Sequence, residues 1–231
     1  MRRPPFFLFV HDLGQTPLQW EEQVAALPGG VGAACPWLRG TRPGGKAVEF
    51  TVADAATSLI TTLDENGVAA ATLVGAGFGG TVALHAAARF PERVTAVHAI
   101  SAPLQLSKRQ LALQRTALRF MSRKNLAARN IDKDRLISAL AGATDGLTSD
   151  DLRGLTLPVT LIVGADDKPG MLSARSLNSV LRQAQIEAVT GRGADLLHAA
   201  PDEVNAVIFA GVDPVDPDQV DDSPIAPWDL S

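Results

Sequence analysis

Six short apolar runs, each of strand length and apolar nearly throughout, alternate along this chain with longer stretches of helical periodicity. That pattern leaves few architectures open. The runs are Phe6–Val10, Val31–Cys35, Ala71–Val74, Val94–Ile100, Val159–Val163 and Gln185–Val189. Strands of a parallel sheet are covered by helices on both faces, so they read as continuous apolar runs. The runs therefore predict an α/β fold with a mostly parallel sheet of about six strands. Between them the periodicity predicts helices over Leu18–Leu27, Val52–Asn66, Gly79–Phe90, Ala174–Gln183 and Pro201–Ala210. The last opens with Pro201, at a first-turn position that needs no N–H. Asp202 and Glu203 follow, with charges suited to a helix N-terminus.

From Ala102 to Leu157 the alternation stops. Helices are predicted over Lys108–Ala128, Lys133–Ala141 and Ser149–Arg153, and positive charge gathers there, opposed by Asp132 and Asp134. The chain thus divides into a core of residues 1–103 and 151–211 and a helical cap insertion of residues 104–150. Residues 212–231 form an acidic, proline-rich tail. A charge run like that of the cap is ordinarily a solvated helix face. The tail has no basic residue and cannot pack by itself, so it is expected to be disordered or to dock. Its Pro227-Trp228-Asp229-Leu230 would supply the apolar contacts, and the basic cap is the complementary surface.

At 231 residues, 46% hydrophobic and 20% charged, the chain suits one soluble domain, and its apolar runs fall short of a membrane span. Phe6–Val10 is also too short for a signal-peptide core, so a cytoplasmic protein is expected. A net charge of −4 gives no general attraction to nucleic acid. Cys35 is the only cysteine, which excludes an internal disulfide and offers no zinc site. No metal is expected.

Two segments carry the chemistry. The first strand ends in His11-Asp12-Leu13-Gly14-Gln15, and the third runs into Gly75-Ala76-Gly77-Phe78-Gly79-Gly80. These resemble the His-Gly oxyanion loop and the G-x-S-x-G nucleophile elbow of the α/β-hydrolase superfamily, in which a sharp strand-to-helix turn presents the serine. Cys35-Pro36-Trp37-Leu38-Arg39-Gly40 is similar to the family's strand-end D-x-R-G segment, with Trp37 in place of the acid. Phe90-Pro91-Glu92-Arg93-Val94 is similar to the connection after the elbow helix. Val159-Thr160-Leu161-Ile162-Val163-Gly164-Ala165-Asp166-Asp167 resembles the strand and loop that present the triad acid, with Asp167 the better match and Asp166 second. Gly191-Arg192-Gly193-Ala194-Asp195 resembles the loop that carries the histidine. The resemblance covers nearly the whole chain, apart from the family's N-terminal hairpin.

It also marks what is changed. The nucleophile position is Gly77 and the histidine position is Ala194, so no hydroxyl or imidazole stands where the family places one. Asp12 replaces the usual glycine of the oxyanion loop, which sets a side chain beside the Leu13 and Phe78 amides that would receive an oxyanion. His198 lies about one helical turn beyond Ala194, poorly placed to act as a relocated base. His85 and His98 read as structural histidines. His11, at the end of the first strand, is either a pocket contact or an internal hydrogen-bond partner.

The reading that follows is a non-catalytic hydrolase-fold protein, a pseudoenzyme, which binds a small molecule or a protein partner without a cofactor. Pocket and oxyanion-loop candidates are His11, Asp12, Leu13, Phe78 and His198. The alternative is an enzyme of non-serine chemistry in the same cleft, of the proton-transfer or lyase type, using Asp167, Asp195, His11 or His198. A third reading takes Gly75-x-Gly77-x-x-Gly80 as a dinucleotide fingerprint. Against it, the following strand ends in Ser101-Ala102-Pro103 without the acid that would bind a ribose, and the motif falls on the third strand unit.

Overall fold

The computed structural model describes residues 5–45, 48–103, 108–143, 148–191 and 195–215. Its sheet has six strands: β1 (Phe6–Val10), β2 (Gly32–Ala34), β3 (Ala71–Ala76), β4 (Val94–Ile100), β5 (Val159–Gly164) and β6 (Ala184–Val189). Their order is β2-β1-β3-β4-β5-β6 and every pair is parallel. Both faces of the sheet are covered, as the unbroken apolar runs require. Phe6, Leu8 and Val10 of β1 pack into one core layer, whereas Phe7 and Phe9 pack into the other. In the second layer the Phe9 and Trp20 ring centroids lie 5.1 Å apart, and Phe7 meets Phe209 edge-on at 5.2 Å.

The helices are α1 (Glu21–Ala25), α2 (Val52–Glu65), α3 (Phe78–Arg89), α4 (Lys108–Phe120), α5 (Arg123–Ala127), α6 (Lys133–Gly142), α7 (Ser149–Arg153), α8 (Lys168–Val180), α9 (Leu196–Ala199) and α10 (Pro201–Ile208). Three depart from the periodicity. The expected helix over Lys108–Ala128 breaks at Met121-Ser122, where Ser122 is extended (φ −64°, ψ 131°). There the Lys133 ammonium donates to the carbonyls of Arg119 and Met121, at 2.9 and 2.7 Å, and so satisfies the end of α4 from outside. The expected helix over Leu18–Leu27 is a 3-10 turn, Pro17–Trp20, followed by the short α1. α8 starts six residues earlier than Ala174, because Asp167 caps it and Pro169 occupies its first turn.

The sheet order positions the site. Strand order reverses between β1 and β3, and in open parallel sheets ligands bind beyond the carboxyl ends of strands at such a reversal. Val10 is in register with Gly75, so the residues that leave β1 and β3 emerge side by side. At the other end of the chain, Val215 donates its amide to the Gly29 carbonyl at 2.7 Å. Most of the acidic tail, residues 216–231, lies outside the described residues. No helix among the described residues is long and apolar enough to cross a membrane.

Candidate functional site

β3 turns into α3 through a backbone approach so close that only glycine fits. A Cβ on Gly79 would lie 2.2 Å from the Val10 carbonyl oxygen, and one on Gly80 would lie 2.7 Å from the Ala102 Cβ. A Cβ on Gly75 would meet the Gly79 carbonyl carbon at 2.5 Å. Real Cβ atoms do not come this near, so strand and helix could not meet here with any side chain. At the apex, Gly77 adopts φ 52°, ψ −124°, and its N–H donates to the Ile100 carbonyl at 2.8 Å. The sharp turn that the sequence resemblance implies is therefore present.

Above this apex lies the Asp12 carboxylate. Its Oδ1 accepts from the Leu13 amide at 2.8 Å and from the Phe78 amide at 2.7 Å. These are the two donors that the resemblance assigns to an oxyanion. A Cβ on Gly77 would fall 2.4 Å from the Asp12 Cγ, so the carboxylate fills the space into which a nucleophile would project. The Asp12 backbone is fixed as well, its own amide donating to Gln19 Oε1 at 3.0 Å. Burial pushes the Asp12 carboxyl up to about 6, against the two amides, which favour the ionised form. Near neutral pH the group is mostly a carboxylate.

His11 points the other way. Fully buried, it donates from Nδ1 to the Asp12 carbonyl at 2.9 Å and accepts at Nε2 from the Leu38 amide at 3.1 Å. Its ring meets Trp37 edge-on at 5.5 Å. Both nitrogens are used, and burial lowers its pKa to about 4, so it is a neutral strut between two strand-end loops. The pocket-contact reading of His11 is thereby corrected: its side chain faces into the core, away from the cleft.

A cavity of about 600 Å³ opens above Asp12, Gly77 and Phe78, on the side of α4 to α6. Its walls are mainly apolar, with Leu118, Met121, Leu126 and Leu136 from the helical segment and Leu13 and Phe78 from below. Asp12, Asp167, Arg129, Ser101 and Ser173 are its polar members. Sequence reasoning missed the contributions of Ser101 and Ser173. Ser101 follows the end of β4 and could have been suspected from the strand-end rule alone.

Asp167 lies at this wall with Oδ1 accepting from the Gly170 amide at 3.0 Å, as the N-cap of α8, while Asp166 is exposed. His198 is exposed on α9 and is not part of the lining, and Asp195 is exposed beside it. The expected proximity of His198 to the pocket is corrected accordingly. Ala194 lies outside the described residues. His85 and His98 are half-buried, each with its pKa lowered mainly by burial and with a buried Nδ1 that has no hydrogen-bond partner among the described residues. Among the described residues no three or more His, Cys, Asp or Glu side chains come together in a group that could hold a metal ion.

A parallel sheet whose central strand turns at a glycine apex into a helix, with two backbone amides beside the apex and helices over the strand ends, defines the α/β-hydrolase class. The family model for the alpha/beta hydrolase fold matches residues 5–149, and the chain belongs to that family. Among solved structures it is similar to a carboxylesterase of the thaumarchaeon Nitrososphaera gargenis (TM-score 0.75, 18% identity, covering 90% of this chain and 89% of that one). It is also similar to NosK from Streptomyces actuosus (TM-score 0.75, 21% identity, 89% and 96%). A third is the enol-lactonase from Burkholderia xenovorans (TM-score 0.69, 16% identity, 90% and 91%). At these identities the likeness is one of fold. No curated protein sequence matches the chain.

Proposed function

We propose that this protein is a hydrolase-fold pseudoenzyme that binds a small molecule in the cavity above Asp12 and Gly77. The observation that carries the reading is the Asp12 carboxylate seated on the Leu13 and Phe78 amides, over an apex with no side chain. Hydrolysis in this fold needs an attacking group at the apex and free donors for the developing oxyanion, and losing one such donor costs on the order of 10²–10³ in turnover. Here both donors serve an anion of the protein itself, and Gly77 offers only hydrogen. Ala194, at the histidine position, supplies no base.

Two of the similar structures are a carboxylesterase and an enol-lactonase; for this chain the reading is binding without turnover. In it, residues 104–150 form the cap that closes the cavity, and the acidic tail is a candidate contact for the basic cap or a protein partner. The test is hydrolysis of p-nitrophenyl esters from acetate to octanoate at pH 8. Rates no higher than in buffer are expected, and robust turnover that disappears in Asp167→Ala would overturn the reading.

One observation favours a second reading, an enzyme of non-serine chemistry. Asp12 lines the cavity with its pKa raised to about 6, which suits a general base near neutral pH. A metabolite that co-purifies with the protein and changes in mass on incubation would favour proton transfer over binding.

A further inference from the structure

The proposed cavity has, at its floor, the reverse of the polarity that the fold ordinarily offers. Oδ1 of Asp12 takes both amides, whereas Oδ2 has no hydrogen-bond partner among the described residues. The carboxylate is thus clamped on one side, leaving its other oxygen as an open acceptor at the bottom of an apolar cleft. A pair of donors that would grip a carbonyl oxygen is replaced by a fixed acceptor.

From this geometry, and resting on the reading that the cleft binds a small molecule, we propose that the ligand class is a compact apolar amine whose ammonium group meets Asp12 Oδ2. The charges agree in sign. Among the described residues, the carboxylate of Asp12 lies at the floor, whereas the guanidinium of Arg129 is exposed at the rim. The floor itself, at Asp12, Leu13, Gly77 and Phe78, holds no cation. An ammonium there gains a charge-assisted hydrogen bond in a water-poor setting, while its hydrocarbon body covers Leu118, Leu126 and Leu136. A carboxylate or an ester carbonyl at the floor would instead face the Asp12 charge, with the Leu13 and Phe78 amides already engaged.

The experiment titrates the full chain by calorimetry with four probes of similar shape: 2-phenylethylamine, 2-phenylethanol, phenylacetate and methyl phenylacetate. At pH 7.5 the amine should bind at least tenfold more tightly than phenylacetate, with the alcohol between them. In Asp12→Asn that preference should fall at least tenfold, with circular dichroism confirming the fold. Should that variant fail to fold, the same collapse is expected in the unaltered protein on going from pH 7.5 to 5. Equal binding of phenylacetate and amine, a preference that survives both tests, or no amine binding at millimolar concentration would overturn the inference. Hydrolysis of methyl phenylacetate would instead strike at the non-catalytic reading, so the two fail separately.

Discussion

The carboxylate of Asp12 and any side chain at position 77 claim the same volume: a Cβ on Gly77 would stand 2.4 Å from Asp12 Cγ. The two positions are therefore coupled, and a serine introduced at position 77 alone is expected to fail. Gly77→Ser should cost about 3 kcal/mol or more, since it combines a collision with a positive φ that L side chains rarely adopt. Asp12→Gly, which removes a largely buried carboxylate and leaves two amides facing the cavity, should stay within about 1 kcal/mol of the parent. The double variant should be more stable than the sum of the two, by about 1–3 kcal/mol in a urea-denaturation cycle. Strict additivity would mean that the two sites do not share space.

Acid stability gives a separate check on Asp12. His11 and His98 are held at about 4 against an ordinary 6.5, so they bind protons more readily when unfolded. Their contribution is fully present above pH 6.5 and is lost as the pH falls toward 4. Asp12 works in the opposite sense. Its pKa, raised from 3.8 to about 6, stabilises the fold at low pH, and that contribution is lost as the pH rises from about 4 to 6. Melting temperature should therefore rise from pH 4 to 7, because two histidines outweigh one carboxyl. In Asp12→Asn the rise should be steeper, with a gain of about 1–3 kcal/mol at pH 7.5 that vanishes near pH 4. A shallower profile in the variant would place the Asp12 pKa below its ordinary value.

The sheet was legible because strands buried on both faces leave an unmistakable trace: in β1 every residue is apolar, and alternate phenylalanines feed opposite layers. The elbow was legible too, since Gly75, Gly79 and Gly80 answer to a backbone crowding that any sequence making this turn must meet. What Asp12 does was not. Its carboxylate reaches an amide 66 residues away through the register of β1 on β3, a relation that no local pattern carries. The direction of the His11 ring was hidden for the same reason, because the Leu38 amide that holds it comes from a different loop. The break between α4 and α5 depends on a lysine of the next helix and lies equally beyond periodicity.

The Asp12 clamp also bears on the dinucleotide reading. The Phe78 amide at the N-terminus of α3, where a pyrophosphate would sit, already serves Asp12. NAD, NADP, FAD and FMN should each leave the melting temperature unchanged, and stabilisation by any of them would show that the carboxylate gives way to phosphate. Gly79→Ala should cost more than about 3 kcal/mol or prevent folding, since its methyl would strike the Val10 and His11 carbonyl oxygens at 2.2 and 2.6 Å. Gly29→Ala, with nothing within 4 Å of the added atom, is the matched control and should be close to neutral.

Asp167 is the residue that the sequence resemblance matches to the family's triad acid, and in the structure it accepts the Gly170 amide and begins α8 six residues ahead of the sequence expectation. A cap and a catalytic acid respond differently to the same replacements. Removing the cap in Asp167→Ala should cost about 1 kcal/mol, while Asp167→Asn, whose amide oxygen can accept the same hydrogen, should restore most of it. Ester turnover should stay at the buffer rate in all three proteins. If instead the asparagine variant melts like the wild type but loses a measurable ester hydrolysis, then the charge at position 167 supports chemistry that an N-cap does not need. The cleft would then have to contain a base that neither Gly77 nor Ala194 can provide.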